Sequence, residues 1–200
     1  MRSGTILDGA RGAPAAAWHR VAISAVGLYP RRPRRSGMKG LVVFFTRTGK
    51  TRRLAEAFAS ACGGELEELY EVGIHREGIG GWLRAGRDGM RQRTVAIEPT
   101  TRRAADYEVV FVGSPVWGGN LCPAVRTYLK EAGAGVKRAA LFCTMNGEDD
   151  GGTFASMRSL MPSAEVVGEL AVRGRDTADA EALRSRVGDW IDAVRRAAGA

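Results

Sequence analysis

Three hydroxyl side chains, one glycine and two basic residues lie within six consecutive positions, in a pattern that suits the binding of an anion. These residues are Thr46, Arg47, Thr48, Gly49, Lys50 and Thr51. They follow the apolar run 40–45, which predicts a buried parallel strand, and they precede 52–62, which predicts an amphipathic helix. The first N–H groups of a helix have no partner within it, and its dipole is positive at that end. The pattern therefore predicts a phosphate site at this turn.

A nucleoside triphosphate is one possible source of that phosphate, because Gly49, Lys50 and Thr51 match the last three positions of the loop that binds such nucleotides. The first glycine of that loop would fall at Phe44, inside the predicted strand, so the turn is too short to enclose a β-phosphate. Neither of the later apolar runs, 109–112 and 139–142, is followed by the acidic residue that would hold magnesium. A P-loop nucleotide-binding protein is therefore a remote alternative, as is a solvated turn without a ligand.

Two further segments follow apolar runs and complete a set of three loops. The second loop contains Ser114, Pro115, Val116, Trp117, Gly118 and Gly119, and the third contains Thr144, Met145, Asn146 and Gly147. In this order the three segments resemble the phosphate loop and the two ring-binding loops of the flavodoxin family. The resemblance extends over about residues 38 to 198.

The resemblance implies an α/β, flavodoxin-like three-layer sandwich with a five-stranded parallel sheet of order 2-1-3-4-5. FMN is then expected at the point where the strand order reverses. The first loop would bind the FMN phosphate, with Arg47 and Lys50 close to its charge, and the second and third loops would lie against the flavin ring. Trp117 would stack on or flank the ring. Gly118 would adopt a positive φ, which glycine does without a Cβ penalty.

The rest of the chain alternates between strand and helix patterns, which predicts a parallel sheet with helices on both faces. The predicted strands are 65–70, 108–113, 139–144 and 164–172, and the predicted helices are 79–93, 123–132, 153–160 and 179–198. In the helix 79–93 we expect Trp82, Leu83 and Met90 to face inward and the arginines to face outward.

The N-terminal segment differs in composition from the rest of the chain. Residues 1–37 contain seven arginines and one aspartate, whereas the remainder carries 23 basic and 21 acidic groups. The segment shows no sustained periodicity, so we expect it to be disordered, or not to be made, with Met38 as the natural start of a domain spanning 38–200. The run Arg31–Arg35 also leaves open a nucleic-acid patch, a membrane-surface patch or a transit peptide.

These observations predict an FMN-binding, flavodoxin-like protein that transfers electrons to or between redox partners, either proteins or small donors and acceptors. An FMN-dependent NAD(P)H:quinone-type oxidoreductase is the alternative, so whether the protein is an enzyme stays open, with a carrier favoured. No run of 18 apolar residues is present, and the overall charge of +8 belongs mainly to the N-terminal segment, so neither a membrane span nor nucleic-acid binding is expected. Three cysteines without CxxC spacing indicate reduced thiols and a cytoplasmic protein. The oligomeric state stays open.

Overall fold

The computed structural model describes residues 38–76 and 78–199, so the expectations for residues 1–37 lie outside the described part of the chain. The strands are β1 (Gly40–Phe44), β2 (Glu65–Glu68), β3 (Val109–Trp117), β4 (Asn120–Leu121), β5 (Arg138–Met145) and β6 (Glu165–Arg173). The helices are α1 (Lys50–Cys62), α2 (Gly78–Met90), α3 (Pro123–Ala132), α4 (Thr153–Leu160) and α5 (Ala180–Ala198).

Five of the strands form a parallel sheet in the order β2-β1-β3-β5-β6, and the two-residue β4 pairs antiparallel with the end of β3. Apart from β4, this is the predicted order 2-1-3-4-5, which is confirmed. The sheet separates two apolar cores. One contains Leu54 and Phe58 of α1 with Val187 and Ile191 of α5. The other contains the inward residues of α3 and α4 together with Ala85 of α2, so the helices form layers on both faces.

The second predicted loop is largely a strand, which corrects the expectation for 114–117. β3 continues to Trp117, and Pro115 pairs with Thr144 of β5. Trp117 then pairs with Asn120, so Gly118 and Gly119 form a two-residue hairpin turn with φ values of 56° and 69°. A turn with positive φ at both central positions favours two glycines, and the Gly-Gly pair was the sequence signal for it.

The orientation predicted for α2 is wrong. Trp82, Leu83 and Met90 are all more than half exposed. The helix instead turns a face of small residues and one carboxylate inward, namely Gly81, Ala85, Asp88 and Gly89. The reason is close backbone packing, since a Cβ at position 81 would lie 2.3 Å from the carbonyl carbon of Arg76 and one at position 89 would lie 2.1 Å from the carbonyl oxygen of Trp117.

Among the helices of residues 38–76 and 78–199, none combines the length and the apolar character needed to cross a bilayer.

Candidate functional site

The three loops identified from the sequence meet at the carboxyl edge of the sheet, around the ends of β1, β3 and β5. The amide of Phe45 donates to the carbonyl of Gly113 across the β1–β3 boundary, which joins the first loop to the end of β3. Strand order reverses between these two strands, and the helices that follow β1 and β3 lie on opposite faces of the sheet. Such a switch point opens a crevice where α/β proteins bind ligands.

The first loop presents hydrogen-bonding groups that have no partner in the described residues. Gly49 adopts φ 79° immediately before α1, and no side chain caps the helix. The first turn of α1 contains no acidic residue, so no carboxylate competes for its free N–H groups. The hydroxyl oxygen of Thr46 is buried and makes no hydrogen bond within residues 38–76 and 78–199. A buried hydroxyl without a partner costs free energy, so the loop fits a ligand that accepts hydrogen bonds.

Direct hydrogen bonds join the first loop to the third. The Oγ1 atoms of Thr51 and Thr144 lie 2.8 Å apart, and both residues are buried. Lys50 Nζ donates to Asn146 Oδ1 at 3.4 Å. Met145 is partly buried, whereas Gly147 is exposed and would have no neighbour within 4 Å of a Cβ. The structure therefore brings the predicted first-loop and third-loop residues together.

The side chains of the second loop are used mainly for packing. The Trp117 ring is 7% exposed and meets the edge of the Phe45 ring, with centroids 5.5 Å apart. The hydroxyl of Ser114 accepts from the amide of Cys122 at 3.2 Å and also donates to the carbonyl of Pro115. The groups exposed at this loop are therefore the hairpin glycines at 118 and 119, with Pro115 and Val116 partly exposed.

A buried cluster of charged residues supports the second loop, and the sequence reasoning missed it. The guanidinium of Arg76 binds Glu71 through Nε (2.5 Å) and Nη2 (2.9 Å), and Asp88 through Nη1 (2.9 Å). Its carbon Cζ also lies 4.8 Å from the centroid of the Trp117 ring. Burial alone would lower the pKa of Arg76, but the bonds to the two carboxylates raise it. Glu71 and Asp88 lie five residues before and twelve residues after Arg76, and the three residues share no local motif.

The second and third loops also touch each other. A Cβ at position 151 would lie 2.5 Å from the Cα of Gly119, so the chain before α4 packs directly on the hairpin turn. The carboxylate of Asp150 accepts from the amide of Phe154 and so holds the start of α4. Glu148, beside it, pairs with Arg173. The acidic stretch of the third loop is thus partly committed to structural contacts.

Two of the depressions on the surface of the described residues bear on where the site lies. One of about 110 Å³ lies beside the third loop and includes Lys50, Asn146, Arg173 and Arg175 in its lining. A larger one of about 540 Å³ lies at the opposite edge of the sheet, around Tyr107. We assign the site to the loop edge, because the partnerless hydroxyl of the first loop and the uncapped helix lie there.

The three thiols of the chain are protonated structural groups. Cys62, Cys122 and Cys143 are all buried. Burial raises the pKa of Cys122 and of Cys143 to about 12 and also raises the pKa of Cys62. Since the thiolate is the nucleophilic form, none of the three is suited to covalent catalysis.

Searches against protein-family models and against curated proteins found no match. Solved structures do match. A putative flavoprotein from Bacteroides uniformis ATCC 8492 superposes with a TM-score of 0.63 at 23% identity, over 78% of this chain and 99% of that one. A flavoprotein in complex with FMN from Lactobacillus acidophilus NCFM gives 0.61 at 20% identity, with the same coverage. A flavodoxin, WrbA-like protein from Agrobacterium tumefaciens gives 0.52 at 14% identity, over 80% and 99% of the two chains. The fold is flavodoxin-like.

The position of Phe44 argues against the binding of a nucleoside triphosphate at the first loop. Phe44, at the position where a P-loop has its first glycine, is the last residue of β1 and is buried. A short turn therefore leads from β1 directly into α1, without the first glycine that a P-loop needs to enclose a β-phosphate.

Proposed function

We propose that this protein binds FMN at the loop edge and passes electrons between the bound flavin and redox partners. The observation that carries the proposal is the buried, partnerless hydroxyl of Thr46 beside the uncapped start of α1. The presence of FMN in the Lactobacillus acidophilus flavoprotein of the same fold supports it.

The phosphate of FMN would lie in the first loop. Thr46, Thr48 and Thr51 offer hydroxyl donors, and Gly49 lets the backbone approach closely. The N–H groups at the start of α1 and the positive end of its dipole stabilise the negative charge without a metal ion. Lys50 and Arg47 add positive charge at the rim of the loop.

The flavin ring would extend from the first loop toward the hairpin and the third loop. When bound, the flavin supplies the electron-transfer chemistry, and the protein supplies position and electrostatics. The backbone at Gly118 and Gly119 and the segment 144–147 would contact the ring. Trp117 supports the hairpin from beneath through its packing on Phe45 and Arg76. Ser114 holds the end of β3 through its bond from Cys122.

Thr46→Val tests this proposal, because it replaces the partnerless hydroxyl by a methyl group of similar size. A hydrogen bond to a charged group contributes about 1.5–3 kcal/mol, so FMN should bind at least about tenfold more weakly. Riboflavin, which lacks the phosphate, should bind the variant and the parent equally. The apoprotein should not lose stability, because the hydroxyl makes no bond in it.

Fluorescence titration of the apoprotein with both flavins measures these affinities, and Thr94→Val, at an exposed position outside the loops, is the matched control. Unchanged FMN binding by Thr46→Val, or an equal loss for riboflavin, would contradict the assignment. The double variant Thr48→Ala/Thr51→Ala should show the same selectivity for FMN with a larger loss.

A reductase that accepts hydride from NAD(P)H is a second candidate. The depression beside the third loop favours it. Its lining contains Lys50, Arg173 and Arg175, and although Arg173 pairs with Glu148 in the same lining, the remaining positive charge suits the phosphates of a dinucleotide. Anaerobic mixing of the FMN-loaded protein with NADPH separates the two candidates. Rapid loss of the flavin absorption band identifies a reductase, and an unchanged band identifies a carrier.

A further inference from the structure

A stripe of large apolar side chains on α2 faces solvent. Ile79, Trp82, Leu83 and Met90 are 80%, 56%, 60% and 63% exposed, and we call these four residues the α2 stripe. Their spacing places them on one side of the helix, opposite the small residues that pack inward. Covering these side chains would remove apolar surface from water, which favours the binding of any apolar surface that packs on the stripe.

The α2 stripe adjoins the hairpin of the candidate site. A Cβ at Gly118 would lie 2.4 Å from the carbonyl oxygen of Gly86 and 2.5 Å from Cγ of Met90, so the helix and the hairpin turn are in contact. A molecule that covers the stripe would therefore also lie against the loop where we place the flavin ring. The position of the flavin ring beside the stripe rests on the proposed function.

Positive charge flanks the α2 stripe on its other side. Arg84, Arg87 and Arg91 follow the spacing i, i+3, i+7, which places them along one flank, and all three are exposed. The one acidic residue of α2, Asp88, is buried; it binds Arg76, and its Oδ2 lies 3.9 Å from Nε of Arg84, so Arg87 and Arg91 provide most of the charge of this flank. The surface thus combines an apolar centre containing Trp and Met with an arginine rim, which is the composition of transient protein–protein interfaces and of their energetic hot spots.

We propose that the α2 stripe is the docking surface for an acidic one-electron carrier protein. Carboxylates of the partner would face the arginine flank, and an apolar patch of the partner would cover Trp82. The reduced metal centre of the partner would supply one electron to the flavin held at the loop edge. Water would supply the proton that balances the added negative charge. The complementary charges would accelerate the encounter and make it sensitive to salt.

Charge argues against a second copy of this chain as the occupant of this surface. Two copies meeting through the stripe would bring together the same arginines, with no exposed acidic residue in α2 to pair with them. An anionic membrane surface would attract the same arginines, so the vesicle measurement below distinguishes it from a protein partner.

Binding to an acidic plant-type [2Fe–2S] ferredoxin tests the proposal, with a basic cytochrome c as the probe of opposite charge. Titration calorimetry of the apoprotein needs no flavin, so failure of the FMN assignment leaves this test intact. We expect ferredoxin to bind at low ionic strength and more weakly at physiological ionic strength, and cytochrome c not to bind. Trp82→Ala and Arg87→Glu/Arg91→Glu should each weaken ferredoxin binding at least about tenfold.

The control Arg184→Glu/Arg196→Glu makes the same change in net charge on exposed positions of α5, across the sheet, and should bind as the parent does. Absence of ferredoxin binding, or an equal loss in this control, overturns the proposal. A Trp82-dependent dimer in sedimentation velocity would assign the stripe to a second copy. Trp82-dependent sedimentation with phosphatidylcholine–phosphatidylglycerol vesicles would assign it to a membrane surface, and either result also overturns the proposal.

Discussion

Replacing Arg76 by methionine should destabilise the protein strongly, because the arginine is the shared partner of two buried carboxylates. The side chains of Glu71 and Asp88 are 3% and 5% exposed, and that of Arg76 is 4% exposed. Three short hydrogen bonds hold the group, and the guanidinium also covers the face of Trp117. Methionine fills much of the volume but satisfies neither carboxylate.

The size of the expected loss of stability follows from the two buried carboxylates that would lose Arg76 as their partner. Removing one partner of a buried ion pair costs about 3–5 kcal/mol, because an uncompensated charge stays buried. Losing the cation–π contact with Trp117 adds about 1–2 kcal/mol. Two other arginines offset part of this cost, since Arg93 Nη1 lies 3.6 Å from Asp88 Oδ1 and Arg84 Nε lies 3.9 Å from Asp88 Oδ2. A net loss of about 3–5 kcal/mol is a large share of the 5–15 kcal/mol that stabilises a typical domain.

Urea unfolding followed by circular dichroism measures the loss, and a triple variant supplies the control. Glu71→Gln/Arg76→Met/Asp88→Asn removes all three charges together, so no uncompensated charge stays buried and only neutral amides, which cost less to bury, are left. The triple variant should therefore be more stable than Arg76→Met alone. Arg76→Lys should lose stability as well, since an ammonium cannot bind both carboxylates in the fork geometry. A loss below about 1 kcal/mol for Arg76→Met, or a triple variant no more stable than the single one, would refute the reasoning.

Two further predictions concern stability. Gly80→Ala should stabilise the protein by up to about 1 kcal/mol, because a Cβ there meets no atom within 4 Å. Gly81→Ala should destabilise it, because its Cβ would lie 2.3 Å from the backbone of Arg76. The thermal midpoints of the two variants should therefore move in opposite directions. Burial raises the pKa of Glu67, but hydrogen bonds from Thr101 and Arg102 outweigh this effect, so the pKa is lowered in the folded state. The charged form of Glu67 therefore stabilises the fold above the unfolded pKa of about 4.3, and this contribution is lost as the pH falls through the folded pKa. Glu67→Gln should be less stable than the parent at neutral pH, and this difference in the free energy of unfolding should shrink as the pH falls below about 4.3. Denaturation curves measured between neutral and acidic pH would contradict this explanation if the difference stayed constant.

The central strands of the sheet could be predicted from the sequence because β1, β3 and β5 contain buried apolar runs, whereas the edge strand β2 (Glu65–Glu68) shows only alternation. Buried strands such as Gly40–Phe44 and Arg138–Met145 have little polar surface to obscure the pattern. The three loops could be predicted for a related reason, since the carboxyl ends of parallel strands meet at one edge whatever the details of packing.

The arrangement around α2 could not be predicted by the same rule. A helix pattern assigns large apolar residues to the core, but here the backbone of the helix contacts the backbone of Arg76 and Trp117, so only small residues fit inward. The exposure of Trp82 follows from that contact, which is a property of the tertiary structure. The ion cluster joins Arg76 to Glu71, five residues earlier, and to Asp88 of α2, twelve residues later, and nothing in the local sequence indicates that these charges are buried.

The packing of α2 through its glycine face separates the residues that hold this helix in place from the residues that it displays. Position 79 and positions 82 and 83 contribute almost nothing to the folded core, so mutations there carry little cost in stability and are not constrained by packing. Packing therefore leaves the outer surface of α2 free to change while the sheet and its loops stay the same, so any constraint on Trp82 would come from the partner that covers it. In protein engineering, a new binding surface could therefore be introduced on this helix, beside the loop edge, without redesigning the core beneath it.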